Sequence, residues 1–118
     1  MINILYLPLK AKWFNMIKSR IKPEEYREMT PYWAKRLYGC PANIDWCKTK
    51  EPVCGRCSCL RRLKPKQYSL VWFTLGYPKK NNLSRNMVIK TTGTTYGKGN
   101  PEWGAPTDRD VFIIKLRF

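Results

Sequence analysis

The chain has 118 residues, the length of one domain. Of these, 43% are hydrophobic and 26% charged, a globular rather than a disordered composition. Lys and Arg number 23 against 8 Asp and Glu, for a formal net charge of +15, and histidine is absent. Every histidine mechanism is thereby excluded: no Ser-His-Asp or Cys-His pair, no histidine metal ligand, no histidine general base. Any catalysis falls to Lys, Glu, Asp, Tyr, Cys or a bound metal.

The apolar opening MINILYLPL has no basic region before it and no small-residue cleavage site after it. It is also far too short to span a bilayer. These features predict a cytoplasmic protein with no membrane partner; they leave the oligomeric state open.

In chain order, Ile2 to Leu9 is β-branched and aromatic and reads as a strand stopped by Pro8. Lys10 to Ser19 places Trp13, Phe14, Met16 and Ile17 at helical spacing between lysines, an amphipathic helix with its aromatic side inward. Glu24 to Met29, set between Pro23 and Thr30-Pro31, reads as a short strand. Thr30 and Pro31 form an N-cap with proline in the first turn, and the helix runs from Pro31 to Tyr38 and ends at Gly39. Tyr68–Leu75, Met87–Thr95 and Val111–Phe118 are strands, with a Gly/Pro-rich loop over Gly97–Thr107. Helices placed early beside a mostly antiparallel sheet predict a single α+β domain over residues 1–118, a small curled β-barrel with two flanking helices.

All five cysteines fall within residues 39–63, which reads as a Cys-rich insertion. Cys54-Gly-Arg-Cys57 is a turn that aims two thiolates at one tetrahedral ion, and Cys40 and Cys47 would complete a closed structural zinc site. Cys59 is the spare, or a substitute ligand. Free buried thiols and a redox pair are the alternatives.

From Pro52 through Pro101 the chain has no acidic residue, while Arg56, Arg61, Arg62, Lys64, Lys66, Lys79, Lys80, Arg85, Lys90 and Lys98 fall there. Such a field attracts polyanions, and Tyr68, Trp72, Tyr77, Tyr96 and Trp103 are aromatic side chains on which bases could stack. Trp72, in mid-strand, reads as core. The plainer reading of the charge is a solvated basic surface.

The run Arg20-Ile-Lys22-Pro-Glu-Glu25-Tyr-Arg27 is by default a surface stretch of ion pairs worth little each. It also resembles the GxKxxExR signature of the ASCH family, with Lys22, Glu25 and Arg27 on the lysine, glutamate and arginine. KPEEYREMTPYWAKRL, GNPEWGAP at Gly99–Pro106 and FTLGY at Phe73–Tyr77 are similar to the phage and bacterial branch of that family. Arg20 stands where the family glycine is usual, which tightens or re-aims the turn before Lys22. The Cys-rich insertion is outside the common pattern.

The resemblance implies a PUA-like β-barrel with a basic cleft that binds RNA, a nucleotide or a modified nucleoside. On this reading Lys22 and Arg27 contact phosphate, and Glu25 orients Lys22 or meets a base edge. Asn100 lies in the same binding loop, and Tyr77 and Trp103 stack on bases; Trp103 could equally plug the end of a barrel. The alternative is a hydrolase, a ribonuclease or an amidohydrolase on an acylated nucleoside. It would use Lys22 as the phosphate or oxyanion holder, Glu25 as the proton carrier and Glu102 as a further carboxylate. The family's amidohydrolase branch has a threonine where this chain has Glu25.

Overall fold

The computed structural model describes residues 3–40, 63–76 and 85–118. Along them lie β1 (Ile4–Leu9), α1 (Ala11–Lys18), β2 (Glu24–Glu28), α2 (Pro31–Tyr38), β3 (Leu70–Leu75), β4 (Asn86–Gly97), a 3-10 turn (Pro101–Trp103) and β5 (Val111–Arg117). The five strands form one sheet in the order β1-β3-β4-β5-β2, with β1 parallel and β4 antiparallel to β3. The α+β class and the two helices are as expected. The strand order is open, ending in β1 and β2, and no pairing among the described residues closes it into a barrel. Cys47, Cys54, Cys57, Cys59 and Tyr77 lie outside the described residues.

One expected boundary is corrected. Pro8 does not stop β1 but sits inside it, opposite Thr74. Proline removes a ladder donor, which an edge strand tolerates, and β1 is an edge strand.

By its internal contacts the chain divides into two units, Met1–Glu25 with Gln67–Gly93 and Ile114–Phe118, and Tyr26–Lys66 with Thr94–Ile113. In the first unit Leu5, Leu7 and Leu9 are buried, and so are Val71 and Phe73 on the partner strand. Helix α1 packs on β3 and buries Phe14 and Ile17, while Trp13 and Met16 are half-buried. Trp72 is not core. Successive side chains on a strand face opposite ways, so burying Val71 and Phe73 turns Trp72 to the other side, beside Tyr6 with ring centroids 5.8 Å apart.

Helix α1 ends in a Schellman turn. Ile21 N–H donates to the Met16 carbonyl and Arg20 N–H to that of Ile17, both at 2.9 Å. That turn requires a left-handed residue, and Arg20 supplies it at φ 63°, the one non-glycine with positive φ among the described residues. Glycine adopts this conformation without steric cost, whereas arginine loses roughly 1 kcal/mol or more there. Arg20→Gly should therefore stabilise the fold by a few tenths to ~1 kcal/mol, the gain being trimmed by glycine's freer unfolded chain. Urea unfolding with an unchanged or lowered midpoint would refute this.

In the second unit Thr30 Oγ1 accepts from Trp33 N–H at 3.4 Å, and Pro31 opens α2. Gly39 closes the helix at φ 67°, donating to the Lys35 carbonyl at 3.0 Å. Ala34 and Leu37 face inward. The Tyr38 ring lies 5.5 Å from Phe112 and 5.9 Å from Tyr96. Burial, with Tyr96 as a second cause, pushes the Tyr38 phenol up to about 12.

Candidate functional site

The turn after α1 delivers Lys22 to the interior of the first unit. Lys22 as a residue is fully buried (0% exposed), and Glu25 is almost fully covered (4%). Lys22 Nζ donates to Glu25 Oε1 at 2.7 Å and to the Glu24 carbonyl at 2.9 Å, and lies 5.4 Å from the centre of the Trp13 ring. Two charges so far from water are tolerable because each is matched by the other. Their spacing explains the contact: β2 begins at Glu24, and an intervening proline turns the chain so that residue 25 folds back on residue 22.

Arg27 and the segment Gly99–Pro106 meet in the second unit, although more than seventy residues separate them in the chain. Tyr26 makes the connection. Asn100 N–H donates to the Tyr26 hydroxyl at 2.9 Å, and Gly99 presses against the ring so closely that a Cβ there would lie 2.7 Å from a ring carbon. Asn100 Oδ1 accepts from Glu102 N–H at 2.9 Å and caps the 3-10 turn. Trp103 packs on the apolar cluster of Tyr26, Ala105, Val111 and Ile113. Asn100 and Trp103 thus shape the loop, while Glu102 is exposed.

Beside this loop opens a cleft of about 260 Å³, lined by Tyr26, Arg27, Glu28, Ala105, Pro106 and Arg109 among others. Its lining is mixed: Ala105, Pro106 and Val111 are apolar, while Arg27, Arg109 and Glu28 are charged, with Arg109 3.9 Å from Glu28 in an exposed pair. Arg27 donates to the Tyr26 carbonyl at 2.8 Å, and its guanidinium sits 5.2 Å from the Trp33 ring centre. Arg36 lies 5.1 Å from the same ring and donates to the Tyr32 hydroxyl at 3.1 Å. Guanidinium groups laid on aromatic faces lose little further freedom when they take an anion.

Among the expected residues, then, Lys22 is paired with Glu25, and Arg27, Asn100 and Trp103 gather around Tyr26. Arg109, Glu28, Trp33 and Arg36 went unmarked in the sequence. The i, i+3 and i, i+4 spacing in PYWAKRL was the available signal for Trp33 and Arg36. Arg109 stands between two aspartates, which hid it as neutral loop. Cys40, half-buried, is the one described cysteine, and no group of three metal-ligating side chains occurs among the described residues. No helix among them is long and apolar enough to cross a membrane. No protein-family model, curated protein or solved structure matches the chain.

Proposed function

We propose that the chain binds RNA or a nucleotide-like fragment, taking one nucleotide unit into the cleft beside Arg27 and Arg109. The observation that carries this is the cleft itself, lined by two arginines together with Ala105 and Pro106. Arginine forks suit phosphate oxygens, and the apolar lining suits a planar base. The Glu28 carboxylate can accept from an exocyclic amine on the base edge. At about 260 Å³ the space falls just below the roughly 300–1,000 Å³ of ordinary small-molecule sites, which suits one unit of a polymer. The alternative, hydrolysis by Lys22 and Glu25, draws less support, since these two groups are committed to each other out of reach of solvent.

Fluorescence anisotropy with a labelled single-stranded RNA tests the binding reading. The logarithm of affinity should fall with the logarithm of salt by about 0.7 for each phosphate engaged. Arg27→Ala or Arg109→Ala should weaken binding and flatten that slope by about one contact. Affinity indifferent to salt, or both variants binding like the parent, refutes the proposal.

A further inference from the structure

Outside the cleft, the first unit presents an unusual face. Tyr6, Trp72 and Val88 are register partners across β1, β3 and β4, and so form one row over three strands. The row is not buried: Tyr6 is 54% and Val88 46% exposed, and Trp72 is half-buried. The two rings lie side by side at 5.8 Å with their planes 32° apart. Trp72 Nε1–H donates to Asn86 Oδ1 at 2.8 Å, which fixes the indole in its outward setting.

Four strands of this sheet carry no negative charge: β1, β3, β4 and β5 hold no acidic residue. Lys90 lies two residues from Val88 and so on the same face of β4. On the exposed positions of β4 and β5 stand Lys90, Lys115 and Arg117.

We infer that this sheet face is a second binding surface, a stacking platform for single-stranded nucleic acid. Bases lie on Tyr6 and Trp72, and the backbone runs toward the cationic positions of β4 and β5. An exposed aromatic row in a protein–protein contact would be served as well by mixed charge around it; exposed cations on strands that hold no acid favour a polyanion that also carries planar apolar groups. Ring orientation set before binding spares the ligand that ordering cost. Because none of these residues lines the cleft, the platform stands or falls apart from the cleft reading.

The test measures anisotropy of a labelled 12-nucleotide single-stranded RNA, an abasic strand of equal length and a duplex, with the full chain and its Tyr6→Ala and Val88→Glu variants. Both positions are exposed, so folding should survive; circular dichroism checks it. Loss of a stacked base typically costs about 5- to 150-fold. Tyr6→Ala should thus weaken the single strand about tenfold and leave the abasic strand and the duplex within about twofold. Val88→Glu, which puts a carboxylate in mid-row, should weaken the single strand at least as much. Wild-type affinity for the single strand in both variants overturns the platform. So does an equal loss on all three probes in Tyr6→Ala, which would show that the ring does not meet bases. A dimer that Val88→Glu dissolves with no change in RNA binding also overturns it and makes the face a protein contact. Arg109→Ala reads the cleft separately, so either surface can fail alone.

Discussion

Lys22→Ala should cost about 3–5 kcal/mol of folding stability, because it leaves the Glu25 carboxylate buried without its counter-charge. Glu25→Ala should cost a similar amount by stranding the ammonium. The reason lies in desolvation. At 0% and 4% exposure neither group can recover its lost hydration from water, so each depends on the 2.7 Å contact. Replacing both partners with apolar residues of similar length, Lys22→Met with Glu25→Leu, should recover much of the loss, since the desolvation penalty vanishes with the charges. Urea midpoints for Lys22→Met, Glu25→Leu and the double variant make a mutant cycle that isolates the pair. If Lys22→Ala keeps the parent's midpoint and loses RNA binding instead, the pair serves the ligand and not the fold.

Gly99→Ala should be the most damaging one-methyl change in the binding loop. The added Cβ would lie 2.6 Å from Ala105 Cβ and 2.7–2.8 Å from two carbons of the Tyr26 ring, closer than carbon atoms pack. Neither obstacle is a flexible tip: Ala105 is buried beside its own backbone, and Tyr26 is buried and held through its hydroxyl by Asn100. The loop must therefore shift, at the ~1–3 kcal/mol typical of overpacking or more. Because the same segment supplies Ala105 and Pro106 to the cleft, RNA affinity should fall along with the thermal midpoint. Tyr26→Phe separates the two contributions: it keeps the ring and removes the acceptor of Asn100 N–H, a loss of about 1 kcal/mol. A Gly99→Ala protein with the parent's melting temperature would show that the loop does not press on Tyr26 as described.

Much of the local structure was legible in the sequence because local chemistry decides it. Thr30-Pro31 and Gly39 bound α2 as read, since an N-cap acceptor and a left-handed stop are needs of the helix ends themselves. The spacing of Phe14 and Ile17 marked the inward stripe of α1. Strand positions were legible from β-branched runs, but Pro8 inside β1 was not, because only pairing order shows that β1 lies at an edge. The same holds for Trp72. Its mid-strand position argues for core, and only the inward setting of Val71 and Phe73, with Tyr6 as register partner, turns it to the other face.

The motif containing Lys22, Glu25 and Arg27 could be picked out by composition, but not the division of labour within it. Sequence distance says nothing about water. Burial commits Lys22 and Glu25 to each other, while Arg27 lines a cleft with Arg109, a partner more than eighty residues away. By itself the sequence determined the excess of positive charge, the absence of histidine chemistry and the helix ends, all properties of residues and their near neighbours. The tertiary structure alone decided which charges reach solvent and which aromatic rings stand beside them, because those depend on contacts that folding makes across the whole chain.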